Sequence, residues 1–215
     1  FSGGGFVVNG NQNKLDKDTA TDNESANFKI VGNSNEVKNS LAAYGPCHGF
    51  EVSGASNKLT NNTSTGTPTP SCDGFHINVG SALNEFNGNV SSDNEGNGFN
   101  NEGNTNKFTN NTAIGNDQRG FRNHESNSNQ ILNNVAVRNL DGIRLGSNSS
   151  NNLVKGNRTF GNSDDGIDVN GTNNTITENI SLGNGNFDLE DDNGTCDSNA
   201  WTSNTRGNRN QTCIN

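Results

Sequence analysis

The chain has 215 residues, of which 26% are apolar, and a formal net charge of −9; that composition holds too little oil for an ordinary globular core and on its own would suggest disorder. Its acidic balance, 14 Lys and Arg against 23 Asp and Glu, leaves no basic footprint for nucleic acid. No apolar run approaches the ~20 residues that a membrane span needs.

Periodicity argues for order instead. From Phe6 onward, an aromatic or branched residue is followed two positions later by a second, mostly apolar one: Phe6/Val8, Phe28/Ile30, Phe50/Val52, Phe75/Ile77, Phe99/Asn101, Phe121/Asn123, Ile143/Leu145, Ile167/Val169 and Phe187/Leu189. The first members step by 22, 22, 25, 24, 22, 22, 24 and 20 residues, which is a nine-unit repeat with slack in its loops. Each unit continues into a second signature, from "NKLDKD" and "NEVKNS" near the start to "NTITEN" and "NAWTSN" near the end. Its leading Asn is present in every unit, at 13, 35, 57, 84, 106, 129, 152, 174 and 199. Five residues later a second polar residue follows, usually Asn, and two beyond that a small side chain such as Ala20, Ser64 or Ala113.

An inward side chain at every second residue means strand, and the Asn- and Gly-rich steps between mean corners. Asn is expected there because it tolerates left-handed backbone and because its amide can bond to the Asn stacked above it. No stretch of ten residues carries a helical stripe free of Gly and Asn. The expected fold is therefore all-β: a parallel β-solenoid of about nine coils of 20–25 residues, each coil burying a few apolar side chains against its neighbours. At ~4.8 Å per coil the rod is roughly 43 Å long. The repeat domain is placed at residues 1–195 and a disulfide-closed cap of the same domain at 196–215.

Units such as "DGIDV" followed by "NNTITENISLGN" resemble those of right-handed parallel β-helix repeat proteins, the group that includes NosD-like periplasmic proteins, pectate-lyase-like enzymes and alginate C5-epimerases. The resemblance covers about residues 5–209 and implies the right-handed winding that the crossover rule also favours. The tail from Phe187 resembles the disulfide-closed ends of secreted bacterial members.

Cys47 and Cys72 each lie two residues before a glycine, Gly49 and Gly74, so they share a column in adjacent coils, where Cα atoms about 5 Å apart suit a disulfide. Cys196 and Cys213 are left to close the last coil, with Trp201 covering the core. Four cysteines fit an oxidising compartment, and the expected location is extracellular or cell-surface. A chain with no Met and no signal peptide reads as a mature or excised fragment. The first coil, with Phe6, Val8 and Leu15, then needs a cap: either a missing segment or a neighbouring copy.

Outward positions beside the first strand read His48/Glu51, Asp73/His76, Asn97/Asn100, Arg119/Arg122, Asp141/Arg144, Asp165/Asp168 and Asn186/Asp188. This charged face holds the candidate site. Asp141, Arg144, Asp165 and Asp168 are candidates for proton transfer next to a carboxyl group, and Arg119, Arg122 and His76 for binding an acidic sugar. The same charges also make sense as a plain ladder of opposite signs, worth tenths of a kcal/mol per pair. Neither a "DPHE"-type epimerase motif nor the polygalacturonase set is present, and His48, His76 and His124 lack zinc spacing. No cofactor is called for. Asp188, Glu190, Asp191, Asp192 and Asp197 are a possible calcium set, or simply an acidic cap. The favoured expectation is a structural, adhesive or glycan-binding module whose partner is a polysaccharide or a copy of itself. The alternative is a lyase or C5-epimerase acting on uronate polymers.

Overall fold

Alternating side chains separated by corners leave the chain one way to bury its few apolar groups, which is to coil on itself. The computed structural model, which describes residues 5–196 and 198–215, shows that coil. Three parallel sheets of nine strands each run along it: the first from Phe6–Asn9 to Leu189–Asp191, the second from Lys14–Asp16 to Ala200–Thr202, the third from Thr19–Thr21 to Thr205–Arg206. Every strand pairs with its equivalent one coil away, Phe6 on Phe28, Leu15 on Val37 and Ala20 on Ala42. Among the described residues the only helical element is the short 3-10 turn Gly194–Cys196.

The core is a set of one-residue-wide columns. Phe6, Phe28, Phe50, Phe75, Phe99 and Phe121 stack face to face at centroid distances of 4.7–4.9 Å. Phe86 and Phe108 stack at 4.8 Å in the second sheet and meet the first column edge-on. Burying each ring contributes about 1.5–3 kcal/mol, which is how so thin a core suffices. The third sheet's inward column is small because the coil is narrow there: a Cβ on Gly74 would run into Ser91 Oγ.

The Asn residues form continuous ladders. In the first, the backbone N–H of each Asn from 13 to 174 donates to Oδ1 of the Asn one coil on, at 2.8–2.9 Å. A second runs from Asp18 and Ser40 through Asn62 to Asn204, and a third, absent from the sequence reading, through Asn94, Asn116, Asn139, Asn162 and Asn184. The left-handed residue of each corner is not the ladder Asn but the one before it, for example Gln12, Leu83, Thr105 and Glu178. That conformation costs roughly 1–2 kcal/mol and aims the next N–H along the axis, where the amide of the following coil receives it.

Two features of the last coil correct the sequence reading. Its first-sheet register is Leu189 on Ile167 and Glu190 on Asp168, so Leu189, not Phe187, continues the apolar column. The final step is thus 22 residues, and the outward pair is Phe187/Glu190 instead of Asn186/Asp188. Asp191 consequently points inward, fully buried, and its carboxylate accepts from Trp201 Nε1 at 2.8 Å, Asn199 Nδ2 at 3.1 Å and Asn193 N at 3.0 Å. This hydrogen-bonded plug ends the core. Residues 196–215 do more than cap, since Ala200–Thr202 and Thr205–Arg206 still belong to the second and third sheets. Both disulfides pair as expected, Cys47 with Cys72 across adjacent coils (Cα atoms 4.8 Å apart) and Cys196 with Cys213 (6.1 Å). Such bonds fit an extracellular or periplasmic setting, and no helix among the described residues is long and apolar enough to cross a membrane.

Candidate functional site

The outer face of the first sheet carries two adjacent columns of polar side chains. One precedes the apolar column by two residues: His48, Asp73, Asn97, Arg119, Asp141 and Asp165. The other follows it by one: Glu51, His76, Asn100, Arg122, Arg144, Asp168 and Glu190. Because coils are one strand spacing apart, residues three apart in sequence and 22–27 apart in the chain meet. Crowding buries several of them although they face outward; Asp73, Asp141, Asp165 and Asp168 are each at most 3% exposed.

Early in the stack lies a histidine pair. The rings of His48 and His76 stack with centroids 4.2 Å apart. Asp73 holds both: its Oδ2 lies 2.9 Å from His76 Nδ1, and its backbone N–H donates to His48 Nδ1 at 3.0 Å. Asn97 Nδ2 and Asn100 Nδ2 donate to the same carboxylate at 2.7 and 3.0 Å. Burial works to raise the Asp73 pKa, but the bonds from His76 and Asn97 outweigh it and hold the carboxyl below its ordinary range. Burial likewise works against charge on His76, and Asp73 overrides it, so His76 titrates above an ordinary histidine. His48 goes the other way, lowered by burial and by its cationic neighbour. The stack thus contains one imidazole biased toward the cation and one biased toward the neutral base.

Later in the stack the charges knit together. Arg144 reaches Asp168 Oδ2 at 2.6 Å and Asp141 Oδ2 at 3.7 Å, while Arg119 Nε donates to Asp141 at 3.0 Å. Beyond them, Asp165, Asp168 and Glu190 bring one carboxylate oxygen each within 4.8 Å of one another. Asp168 titrates near 7, driven up by burial against the pull of Arg144, and Glu190 near 8, driven up by burial and by Asp165. One oxygen of Asp168, Oδ1, is buried and has no hydrogen-bond partner among the described residues.

Between the two halves sits Arg122. Its NH1 donates to Asn100 Oδ1 at 3.3 Å, and among the described residues it has no carboxylate in ion-pairing range. It lines a cleft with His48, Asp73, His76, Asn100 and Glu102, whose rim is closed by Gln118 Nε2 donating to Pro70 O at 2.5 Å. On its other side it borders a second hollow with Arg119, His124 and Arg144. Burial and the neighbouring Arg119 guanidinium both disfavour its charge, the setting in which an incoming anion is most welcome.

Of the residues singled out from sequence, Asp141, Arg144 and Asp168 come together in one ion-pair network with Arg119, Asp165 lies against Glu190, and His76 and Arg122 share the cleft. His48, Asp73 and Asn100, placed on this face by the sequence but given no role there, belong to the site, and so does Glu190, which the sequence placed only in the acidic set of the cap. The Asp73/His76 spacing of three, the same as Asp141/Arg144 and Asp165/Asp168, was the available signal. The acidic residues proposed for calcium diverge: Asp188 accepts from Asn184 and Gly207, Asp191 points into the core, Asp192 pairs with Asn170, and Asp197 lies outside the described residues.

Fold and face together define a parallel β-helix with a charged, cleft-bearing first sheet. Residues 48–181 match the family model described as a right-handed β-helix region, and the chain belongs to that family. A comparison with curated protein sequences gave no match. Among solved structures it is similar to the A-module of a mannuronan C-5 epimerase of Azotobacter vinelandii, with a TM-score of 0.75 and 17% identity, covering 89% of this chain and 56% of that one. An alginate lyase from Paenibacillus sp. matches with a TM-score of 0.65 and 13% identity over 93% and 92% of the two chains. A pectate lyase matches with a TM-score of 0.60 and 18% identity over 84% and 55%. At these identities the likeness is one of fold, and the chain spans little more than half the length of the epimerase module.

Proposed function

We propose that the first-sheet face binds a uronate-containing polysaccharide, and that the cleft at His48, Asp73, His76 and Arg122 acts on it by moving the proton next to a uronate carboxylate. Arg122 carries this reading. It is a half-buried guanidinium without a carboxylate partner, placed beside a stacked imidazole pair at the junction of two hollows. A uronate carboxylate is the anion such a fork takes up, and neutralising it acidifies the adjacent C–H. His76, whose Nδ1–H is held by Asp73, presents Nε2 as the candidate proton-transfer atom, base when neutral and acid once charged, and neutral His48, whose Nδ1 accepts the Asp73 N–H, carries its proton on Nε2 as a donor to the substrate or the leaving oxygen. Loss of the proton followed by elimination gives a lyase, and its return on the opposite face gives an epimerase. Likeness in fold to alginate- and pectate-acting proteins supports the substrate class.

Should calcium take part, the oxygen donors Asp165, Asp168 and Glu190, with the unpartnered Asp168 Oδ1, are the residues that would hold it. Of the cap set expected from sequence, only Glu190 belongs to this group.

A second reading keeps the binding and drops the chemistry. The network of Arg119, Asp141, Arg144 and Asp168 is internally neutralised, as a purely structural or adhesive ladder would be. Incubating the protein with alginate and with polygalacturonate, with and without calcium, separates the two. Unsaturated ends absorbing in the ultraviolet, or a changed uronate ratio by NMR, lost in Arg122→Ala and His48→Ala, is the expected result. Retained polymer binding with no product would leave the adhesive reading standing, and no binding at all would remove both.

A further inference from the structure

The outer face of the third sheet is the most apolar of the three, since the other two turn mainly polar and charged residues outward. The second sheet carries alternating charges outward, Lys14, Glu36, Lys58, Glu85 and Lys107 on successive coils. In the third sheet the strands Leu41–Ala43, Val90–Ser92, Thr112–Ile114, Val135–Val137 and Ile180–Leu182 turn Leu, Val and Ile outward and keep Ala or Ser inside. Hydrophobic patterning is inverted there because the narrow corner admits only small residues inward. The outward members are half-buried by their neighbours along the stack, and Leu182 is 38% exposed. Arg158, lying 5.5 Å over the Phe160 ring, is the one charged outward residue on the stretch from Leu41 to Leu182.

We infer that this face is an interface with a second copy of the chain, two third sheets packing face to face with their axes antiparallel. The pattern is self-complementary. A two-fold axis through Thr112–Ile114 sets Val90–Ser92 against Val135–Val137 and Leu41–Ala43 against Ile180–Leu182. It sets Arg158–Phe160 against the hydroxyls of Thr63–Thr65, so the lone charge meets no like charge. In a chain of net charge −9, the other two sheet faces carry several charges each, and this one, with Arg158 alone, is where two copies can approach with least repulsion. Nine strands at ~4.8 Å by three residues at ~3.3 Å give roughly 430 Å² per copy, about half of a standard interface. The dimer is therefore weak and concentration-dependent. The cleft on the first sheet is not involved, so this inference stands apart from the proposed activity.

Sedimentation equilibrium over a roughly hundred-fold concentration range tests it. The average mass should climb toward that of a dimer, and Val137→Asp and Ile114→Asp should hold it at the monomer, while Glu36→Ala on the second sheet leaves the climb unchanged. Covalent surface labelling of the unmodified protein should show protection of Val135–Val137 growing with concentration, which keeps the test open should a variant misfold. A wild-type mass that stays monomeric, or a climb that Val137→Asp does not affect, overturns the inference. So does protection that appears only on adding polysaccharide, which would make the polymer the occupant.

Discussion

Removing one rung of an Asn ladder is the sharpest test of how this fold is held. In Asn111, Oδ1 accepts from Asn89 N at 2.8 Å and from Asn89 Nδ2 at 3.0 Å, and Nδ2 donates to Phe86 O and Asn134 Oδ1, both at 3.0 Å. Asn111→Ala removes all four bonds at a site that is fully buried. Asn134 Oδ1 keeps the backbone N–H of residue 111, at 2.8 Å, and Asn89 Nδ2 keeps its second bond, to Leu59 O at 2.9 Å. What is stranded is the Asn89 N–H and one hydrogen of its amide. Two buried donors without partners cost about 1–3 kcal/mol each, so the expected loss is roughly 2–6 kcal/mol. Asn87→Ala, on an exposed outward position of the preceding coil, should stay within about 0.5 kcal/mol. Urea denaturation followed by circular dichroism gives the stabilities, and hydrogen exchange at the Asn89 amide tests the cause directly. A loss below about 1 kcal/mol for Asn111→Ala, or one no larger than that of Asn87→Ala, would mean that the ladder decorates the coil without supporting it.

Phe75→Ala empties a slot between Phe50 and Phe99, with Phe86 on its edge, and should cost about 3–5 kcal/mol by denaturation; a loss under about 1 kcal/mol would contradict the ring column. Asp168 titrates near 7 in the folded chain and near 4 unfolded, so folding takes up a proton between those values, and stability present at low pH is lost as pH rises through about 7. The melting temperature should accordingly fall between about pH 4 and pH 7, and Asp168→Asn should flatten that slope; an unchanged slope would show that the buried carboxylate is not the group responsible. Reducing Cys196–Cys213, which closes a span of 17 residues, should destabilise the last coil by about 3 kcal/mol and raise exchange around Trp201 first; peptide mapping that found any other pairing would break the coil alignment.

Much of the first-sheet face was legible because of a coincidence of spacing. The Gly directly before the apolar residue, at 49, 74, 98, 120, 142 and 166, marks the same point of six successive coils, so a residue counted from it falls in a known column. That places Asp73 beside His76, and Arg122 next to Arg144, without coordinates. The last coil was misread because Phe187 and Leu189 both satisfy an alternating pattern, and alternation alone cannot choose between registers two residues apart. Backbone pairing with Asn208 and the burial of Asp191 against Trp201 chose Leu189, and that choice brought Glu190 into the site.

The sequence by itself determined the parallel solenoid, its coil length, the columns of all but its last coil and its disulfides, because each depends on contacts between equivalent residues one repeat apart. Only the tertiary structure decided which outward charges neutralise one another and which stay open. Arg144 and Arg119 find Asp141 and Asp168 within reach, whereas Arg122, with Asn100 before it and Arg144 after, meets no carboxylate among the described residues. That outcome depends on side-chain reach across neighbouring columns, a distance of a few ångströms that residue order along one chain does not contain.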